Sequence, residues 1–310
     1  MPRLTEALGG PRLFIKRDDE TGLATGGNKT RKLEFLIADA LEGGADTVIT
    51  AGAAQSNHCR QTAAAAAKCG LKCILTLTGS DPGVWNGNLL LDDLLGAEVR
   101  FVGDVTWTGL LDVMAGVADE VRAKGGRPYV IPVGGSNPVG ATGYVAAMEE
   151  LRGQLKERSL NIDHIVFASS SGGTQSGLVV GARAFGFEGQ VLGISVASKV
   201  DDLMGVLVQL STDTAKHLGL DLHFSRDDFR VNDAYLGAGY GKPAEPEREA
   251  IRLLAQTEGI LVDPVYTGRA LAGLIDLTRK GTFNKDETVL FWHTGGSAAL
   301  FAYVKELLGP

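Results

Sequence analysis

Gly26-Gly27-Asn28-Lys29-Thr30-Arg31-Lys32-Leu33-Glu34-Phe35-Leu36 is the stretch that decides how the rest of the chain is read. The glycine pair allows a loop with positive φ. Asn28 reads as the N-cap of a helix whose apolar face carries Leu33, Leu36, Ile37 and Ala40. Lys29 then falls in the first helical turn, beside free N–H groups and the positive end of the helix dipole, a poor place for a cation. A lysine so placed tends to have a depressed pKa or to be held in an uncharged form, as an imine with a carbonyl group would be. On this stretch alone Lys29 reads as an ordinary solvated lysine; the loops further along reverse that.

The chain has 310 residues, 44% hydrophobic and 22% charged, enough for one large domain or two ordinary ones with real cores. Its net charge of −7 argues against a nucleic-acid footprint or a basic membrane surface. No apolar run approaches the roughly 20 residues that span a bilayer, and the N-terminus lacks the apolar core of a signal peptide. Three cysteines, Cys59, Cys69 and Cys73, form no paired framework, which points to reduced thiols in the cytoplasm. Cys69 and Cys73 lack a second ligand pair, so the spacing does not read as a zinc or other metal site.

Outward from the opening stretch, strands and helices alternate. Strands are expected at 12–16, 47–50, 74–77, 98–102, 129–132, 164–168, 191–196 and 288–292. Helices are expected at 28–42, 60–68, 86–95, 110–123, 141–156, from the glycines at 172–173 to 184, and at 200–217, 245–258 and 269–280. The last loop, HTGGSAALFAY, is expected to enter a final helix directly. This alternation implies an α/β fold with parallel sheet covered on both faces. The Gly-rich crossing near 134–143 suggests two lobes.

In an open parallel sheet, ligands bind beyond the carboxyl ends of the strands. Four loops are expected there: AGAAQSNH, SSSGGTQSG, DPVYTG and HTGGSA. In SSSGGTQSG a buried strand feeds Ser169, Ser170, Ser171, Gly172, Gly173 and Thr174 into a helix. This reads equally as a tight strand–helix turn or as a phosphate cup of free N–H groups and hydroxyls. No lysine follows in the Walker position, so a phosphate here belongs to something smaller than a nucleoside triphosphate. Ser56 or Asn57 caps the Ala-rich helix after Gln55, and that helix start could also take a substrate carboxylate. His293 reads as a structural or surface histidine rather than as a base.

GGNKTRKLEFL, TAGAAQSNHCRQTAA, IPVGGSNPVGATGYV, SSSGGTQSGL, ILVDPVYTGRALAGLIDL and FWHTGGSAALFAY, in this order, resemble the pyridoxal-phosphate (PLP) family of D-cysteine desulfhydrase. That family also holds 1-aminocyclopropane-1-carboxylate (ACC) deaminase and L-cysteate sulfo-lyase. The resemblance covers nearly the whole chain. It implies the type II, tryptophan-synthase-β-like PLP fold: two lobes, each with a mostly parallel sheet covered by helices. It implies a larger PLP-binding domain of residues 1–29 and 139–310, a small domain of residues 30–138, and a cytoplasmic homodimer. By the same resemblance Lys29 carries the cofactor, Asn57 partners its phenolic oxygen, and Ser171, Gly172, Gly173 and Thr174 hold its phosphate. Ser56 is the substrate-side hydroxyl, Tyr240 and Tyr266 face the reacting amino acid, and Trp85 stands near the substrate mouth.

Two positions discriminate within the family. ACC deaminases resemble one another in carrying Glu after the DPVY tyrosine and Leu before the final glycine pair; this chain carries Thr267 and Thr294. Thr267 is expected to face the pyridine nitrogen. A hydroxyl there need not hold that nitrogen protonated, which favours prompt β-elimination over a long-lived carbanion. The resemblance therefore implies a lyase converting D-cysteine to pyruvate, ammonia and hydrogen sulfide. L-cysteate sulfo-lyase stands next, then ACC deaminase; Arg269 is the nearest cation for a sulfonate. A PLP carrier or sensor without lyase activity is the non-enzymatic alternative, and the Lys29, Ser56 and Tyr266 set argues against it.

Overall fold

The alternating pattern becomes nine strands and eleven α-helices in the computed structural model, which describes residues 1–308. In chain order they are α1 (Pro2–Leu8), β1 (Arg12–Arg17), α2 (Asn28–Glu42), β2 (Thr47–Ala53), α3 (Asn57–Cys69), β3 (Lys72–Thr78), α4 (Gly87–Leu94), β4 (Glu98–Phe101), α5 (Gly109–Ala123) and β5 (Pro128–Val130). After the glycine-rich crossing come α6 (Pro138–Glu157), β6 (His164–Ser169), α7 (Gly173–Ala184), β7 (Gln190–Ser195), α8 (Val200–His217), β8 (Arg230–Asn232), α9 (Glu245–Glu258), α10 (Thr267–Arg279), β9 (Thr288–His293) and α11 (Val304–Leu308). None of these helices is long and apolar enough to cross a membrane.

The strands form two sheets, β1-β9-β6-β7-β8 and β4-β3-β2-β5, and every ladder within them is parallel. Side chains alternate across a strand, so a sheet covered on both faces needs apolar residues at consecutive positions. β6 meets this need with Ile165 and Phe167 on one face and Val166 and Ala168 on the other. The first set packs with α6, α7 and α8, through Met148, Leu178 and Leu207. The second packs with α1, α9 and α10, through Leu4, Ile251 and Leu271. In the second sheet Val48 and Leu75 face α2, α3 and α4, and Ile49 and Ile74 face α5.

Several boundaries differ from the sequence expectation, each for a local reason. Gly27, not Asn28, is the N-cap of α2; its φ of 133° is one that a side chain opposes. Asn28 instead donates to Thr174 Oγ1 at 3.1 Å, tying α2 to α7. Helix α6 begins at Pro138 rather than Ala141, because Asn137 accepts from Gly140 N at 2.8 Å and proline suits a first helical turn. The short elements α1 and β8 carry too few residues to show a period. DPVYTG does not follow a strand; it joins α9 to α10. The final loop passes through a 3₁₀ turn, Ser297–Ala302, before α11.

Candidate active site

The loops after β2, β6 and β9 and the start of α2 converge on one cavity of about 320 Å³. Of the site residues expected from sequence, Lys29, Ser56, Asn57, Ser171, Gly172, Thr174, Tyr240, Tyr266 and Thr294 line it. Gly173 and Thr267 stand off the wall.

Lys29 extends from the first turn of α2 and donates from Nζ to Gly134 O at 3.1 Å. Burial lowers its pKa to about 8. Lys32, overlooked in the sequence, donates to the same carbonyl at 3.0 Å and is 1% exposed. Burial, and then the neighbouring charge of Lys29, push its pKa well below the ordinary lysine value. Among the described residues no carboxylate pairs with either amine. The signal for Lys32 was its place on the apolar stripe, one turn before Leu36.

The cradle at the start of α7 meets Lys32. Gly172 turns with φ 86°, and Gly173 N donates to Ser136 Oγ at 3.2 Å. Ser136 and Ser171 share a hydroxyl contact at 2.8 Å. A Cβ on Gly173 would stand 2.7 Å from both Lys32 Nζ and Ser136 Oγ. Free N–H groups, hydroxyls, a buried cation without a counter-ion and a missing Cβ together fit a phosphate monoester. Thr174 Oγ1 accepts from Asn28 and so keeps its own proton for an acceptor.

Ser56 caps α3 by accepting from Cys59 N at 3.2 Å, which leaves its hydroxyl proton free. Tyr240 and Tyr266 hydrogen-bond through their hydroxyls, and burial raises both pKa values, so both remain protonated. His58 also lines the wall. Thr50 gives its single proton to Ile131 O at 2.8 Å, so the 2.8 Å contact with His58 must be donated by His58 Nε2. Burial, then the charges of Lys29 and Lys32, keep this ring neutral.

Thr267 is not free to face a ligand. Its hydroxyl donates to Asp263 Oδ1 at 2.7 Å and it accepts from Asp263 N at 2.8 Å. The Asp263 carboxylate collects the N–H groups of Val265, Tyr266 and Thr267 as well, fixing the turn that presents Tyr266. Of the two discriminating threonines, Thr294 reaches the wall. Arg269 is spent: it pairs with Glu247 at 2.7 Å and donates to the carbonyls of Val196, Gly239 and Lys242, so it offers nothing to a sulfonate. His293 is structural, its ring bonded to Leu261 O and Gly295 N. Trp85 packs on Phe101 and donates to Asp81, away from the wall. Trp107 takes the place expected of it, edge-on to Tyr240 with ring centroids 6.0 Å apart.

The chain matches known proteins over nearly its full length. Residues 1–295 match the family described as "Pyridoxal-phosphate dependent enzyme". The chain is 48% identical over 308 residues to a D-cysteine desulfhydrase of Klebsiella pneumoniae (strain 342), covering 98% of this chain and 92% of that protein. The crystal structure of an ACC deaminase homologue superposes with a TM-score of 0.92 at 40% identity, covering 99% of this chain and 91% of that one. Threonine deaminase isoform 2 of Solanum lycopersicum has the same fold, with a TM-score of 0.68 at 15% identity, covering 99% of this chain and 80% of that one. The chain has the type II fold and belongs to the pyridoxal-phosphate dependent enzymes, in the group that holds D-cysteine desulfhydrase and the ACC deaminase homologues.

Proposed function

We propose that the chain catalyses α,β-elimination of D-cysteine, taking up one water and giving pyruvate, ammonia and hydrogen sulfide. The observation that carries this is the buried Lys29 amine on one cavity wall with the Ser56 hydroxyl and the Tyr240–Tyr266 pair on the same cavity. Similarity to the Klebsiella D-cysteine desulfhydrase supports the choice of substrate. Pyridoxal phosphate, when bound, supplies an electron sink for negative charge at the substrate Cα.

The residues of the chain do the rest. Lys32, Ser136, Ser171, Gly172, Gly173 and Thr174 hold the phosphate, Asn57 takes the phenolic oxygen, and Thr294 borders the ring. Lys29, with a pKa of about 8, is far more often neutral near pH 7 than an ordinary lysine and removes the Cα proton. The free start of α3, with Ser56, takes the substrate carboxylate. The protonated Tyr240–Tyr266 pair donates a proton toward the departing sulfur. Fixing the carboxylate on α3 leaves only one enantiomer with its Cα–H toward Lys29, so L-cysteine reacts poorly.

ACC ring opening is negligible on this reading. Thr267 and Thr294 stand where ACC deaminases carry Glu and Leu, and the wall threonine leaves no carboxylate to manage the pyridine nitrogen. The same reading divides the chain into a larger lobe of residues 1–29 and 139–310 and a smaller one of residues 30–138. It also makes the protein a cytoplasmic homodimer. Pyruvate formation from D-cysteine, L-cysteine and L-cysteate, and ketoacid formation from ACC, at equal concentration test it. D-Cysteine should dominate; dominant turnover of L-cysteate or ACC would reject the substrate assignment.

A further inference from the structure

Asn57 lines the cavity, and a residue outside the cavity decides how its amide is turned. Asn88, in the first turn of α4, is fully buried. Its Nδ2 donates to the main-chain oxygen of Gln55 at 2.9 Å and to Asn57 Oδ1 at 2.8 Å. Its own N–H donates to Gln55 Oε1 at 2.9 Å, which fixes its position. A main-chain carbonyl can only accept, so the Asn88 atom facing Gln55 O must be the NH₂ group. The second proton of that group points at Asn57, so Asn57 must turn its oxygen to Asn88. The Asn57 Nδ2 is left without a protein acceptor among the described residues. It lies close to Gly296, where a Cβ would come within 2.7 Å of it. The Gln55 backbone thus sets the polarity of Asn88, and Asn88 sets that of Asn57.

We propose that Asn88 is a positioning residue for the reaction: it holds the Asn57 amide with its NH₂ toward the cavity, as a donor to the phenolic oxygen of the bound cofactor. This rests on the role proposed above for Asn57. A donor at that oxygen favours its ionised form, and an oxygen turned toward it disfavours that form. Asn88 has the same effect on the site as Asn57 itself, without touching the ligand.

The test is a double-mutant cycle on the holoenzyme, read by the pH midpoint of the visible absorbance of bound PLP and by PLP affinity in equilibrium dialysis. Asn88→Asp keeps the side-chain shape but removes both donors, and a carboxylate draws the Asn57 NH₂ away from the cavity. The midpoint should rise by about one pH unit or more, the size of losing one hydrogen bond to a charged oxygen. Asn57→Ala should shift it in the same direction. In the Asn57→Ala background, Asn88→Asp should add nothing. A merely structural role for Asn88 would change stability and leave the midpoint in place. If Asn88→Asp does not fold, Asn88→Leu, which removes the same donors without adding charge, carries the cycle. A midpoint moved by Asn57→Ala but not by the Asn88 variant, or full additivity of the two, overturns the inference alone. A midpoint unmoved by Asn57→Ala overturns the reading of Asn57 on which it rests.

Discussion

Lys29 and Lys32 share the carbonyl of Gly134 in a region without a counter-charge. Two buried ammonium groups so placed favour losing a proton or gaining an anion. The neutral amine is the nucleophile toward a carbonyl, and burial lowers the Lys29 pKa to about 8. Its neutral fraction therefore grows as pH rises through 8. The rate at which apoprotein captures PLP should climb between pH 7 and 9 and then level, as followed by visible absorbance in stopped flow. Lys29→Ala should abolish that absorbance and the elimination activity together. The cradle makes a second prediction. A Cβ on Gly173 would stand 2.7 Å from Lys32 Nζ and Ser136 Oγ, where the phosphate is proposed to lie. The backbone there is ordinary helix, so Gly173→Ala tests space rather than strain. PLP affinity should fall by about tenfold or more, equivalent to at least about 1.4 kcal/mol. Unchanged affinity would move the cradle elsewhere.

Elements reach the site through close helix contacts and buried clamps. A Cβ on Gly143 of α6 would collide with the Arg31 carbonyl of α2, the helix that carries Lys29. Gly143→Ala should push the helices apart, costing about 1–3 kcal/mol in urea unfolding and shifting the visible band of the holoenzyme. At the same end of α2, Asp18 is fully buried and takes Arg31, Tyr144 Oη and Trp292 Nε1 on its carboxylate. That network joins the turn after β1, α2, α6 and β9 around one fully partnered charge. The loop with Tyr240 has no regular structure, and Arg269 from α10 clamps it by bonding Gly239 O and Lys242 O on either side. Arg269→Met leaves the Glu247 side chain buried without its partner. A loss of about 3–5 kcal/mol of stability is expected in denaturant titration. Arg269→Lys keeps the charge but not the fork, and should depress turnover more than PLP affinity.

At the scale of the whole molecule, the cavity is closed by residues far apart in the chain. Trp107, leading into α5, meets Tyr240, which stands between β8 and α9, with ring centroids 6.0 Å apart. Trp107 is half-exposed, so the contact is at the mouth rather than in a core. Trp107→Ala should leave the spectrum of bound PLP unchanged and raise KM for D-cysteine several-fold, because an apolar cap over the substrate is lost. A spectral shift, or no change in KM, would show that Trp107 is not part of the substrate wall.

The sequence by itself determined the alternating α/β order, the apolar faces of the helices and the local chemistry of each turn. Gly172–Thr174 and Ser56 were legible because a helix start, its cap and its glycine lie within a few consecutive residues. The same local pattern placed Lys29 in the first turn of α2 but read it as solvated; its burial came from packing. What only the tertiary structure decided were relations between residues distant in the chain. Lys32 became a buried cation because α6 and the 134–136 turn close over it. Thr267 left the wall because Asp263 takes its hydroxyl, and Thr294 remained there. Trp107, not Trp85, reached the mouth, and Asn88 found Asn57 from α4. Periodicity and turn chemistry act over a few residues and can be read in one dimension. Burial, hydrogen-bond partners and the pKa values they set depend on which segments meet, and packing alone decides that.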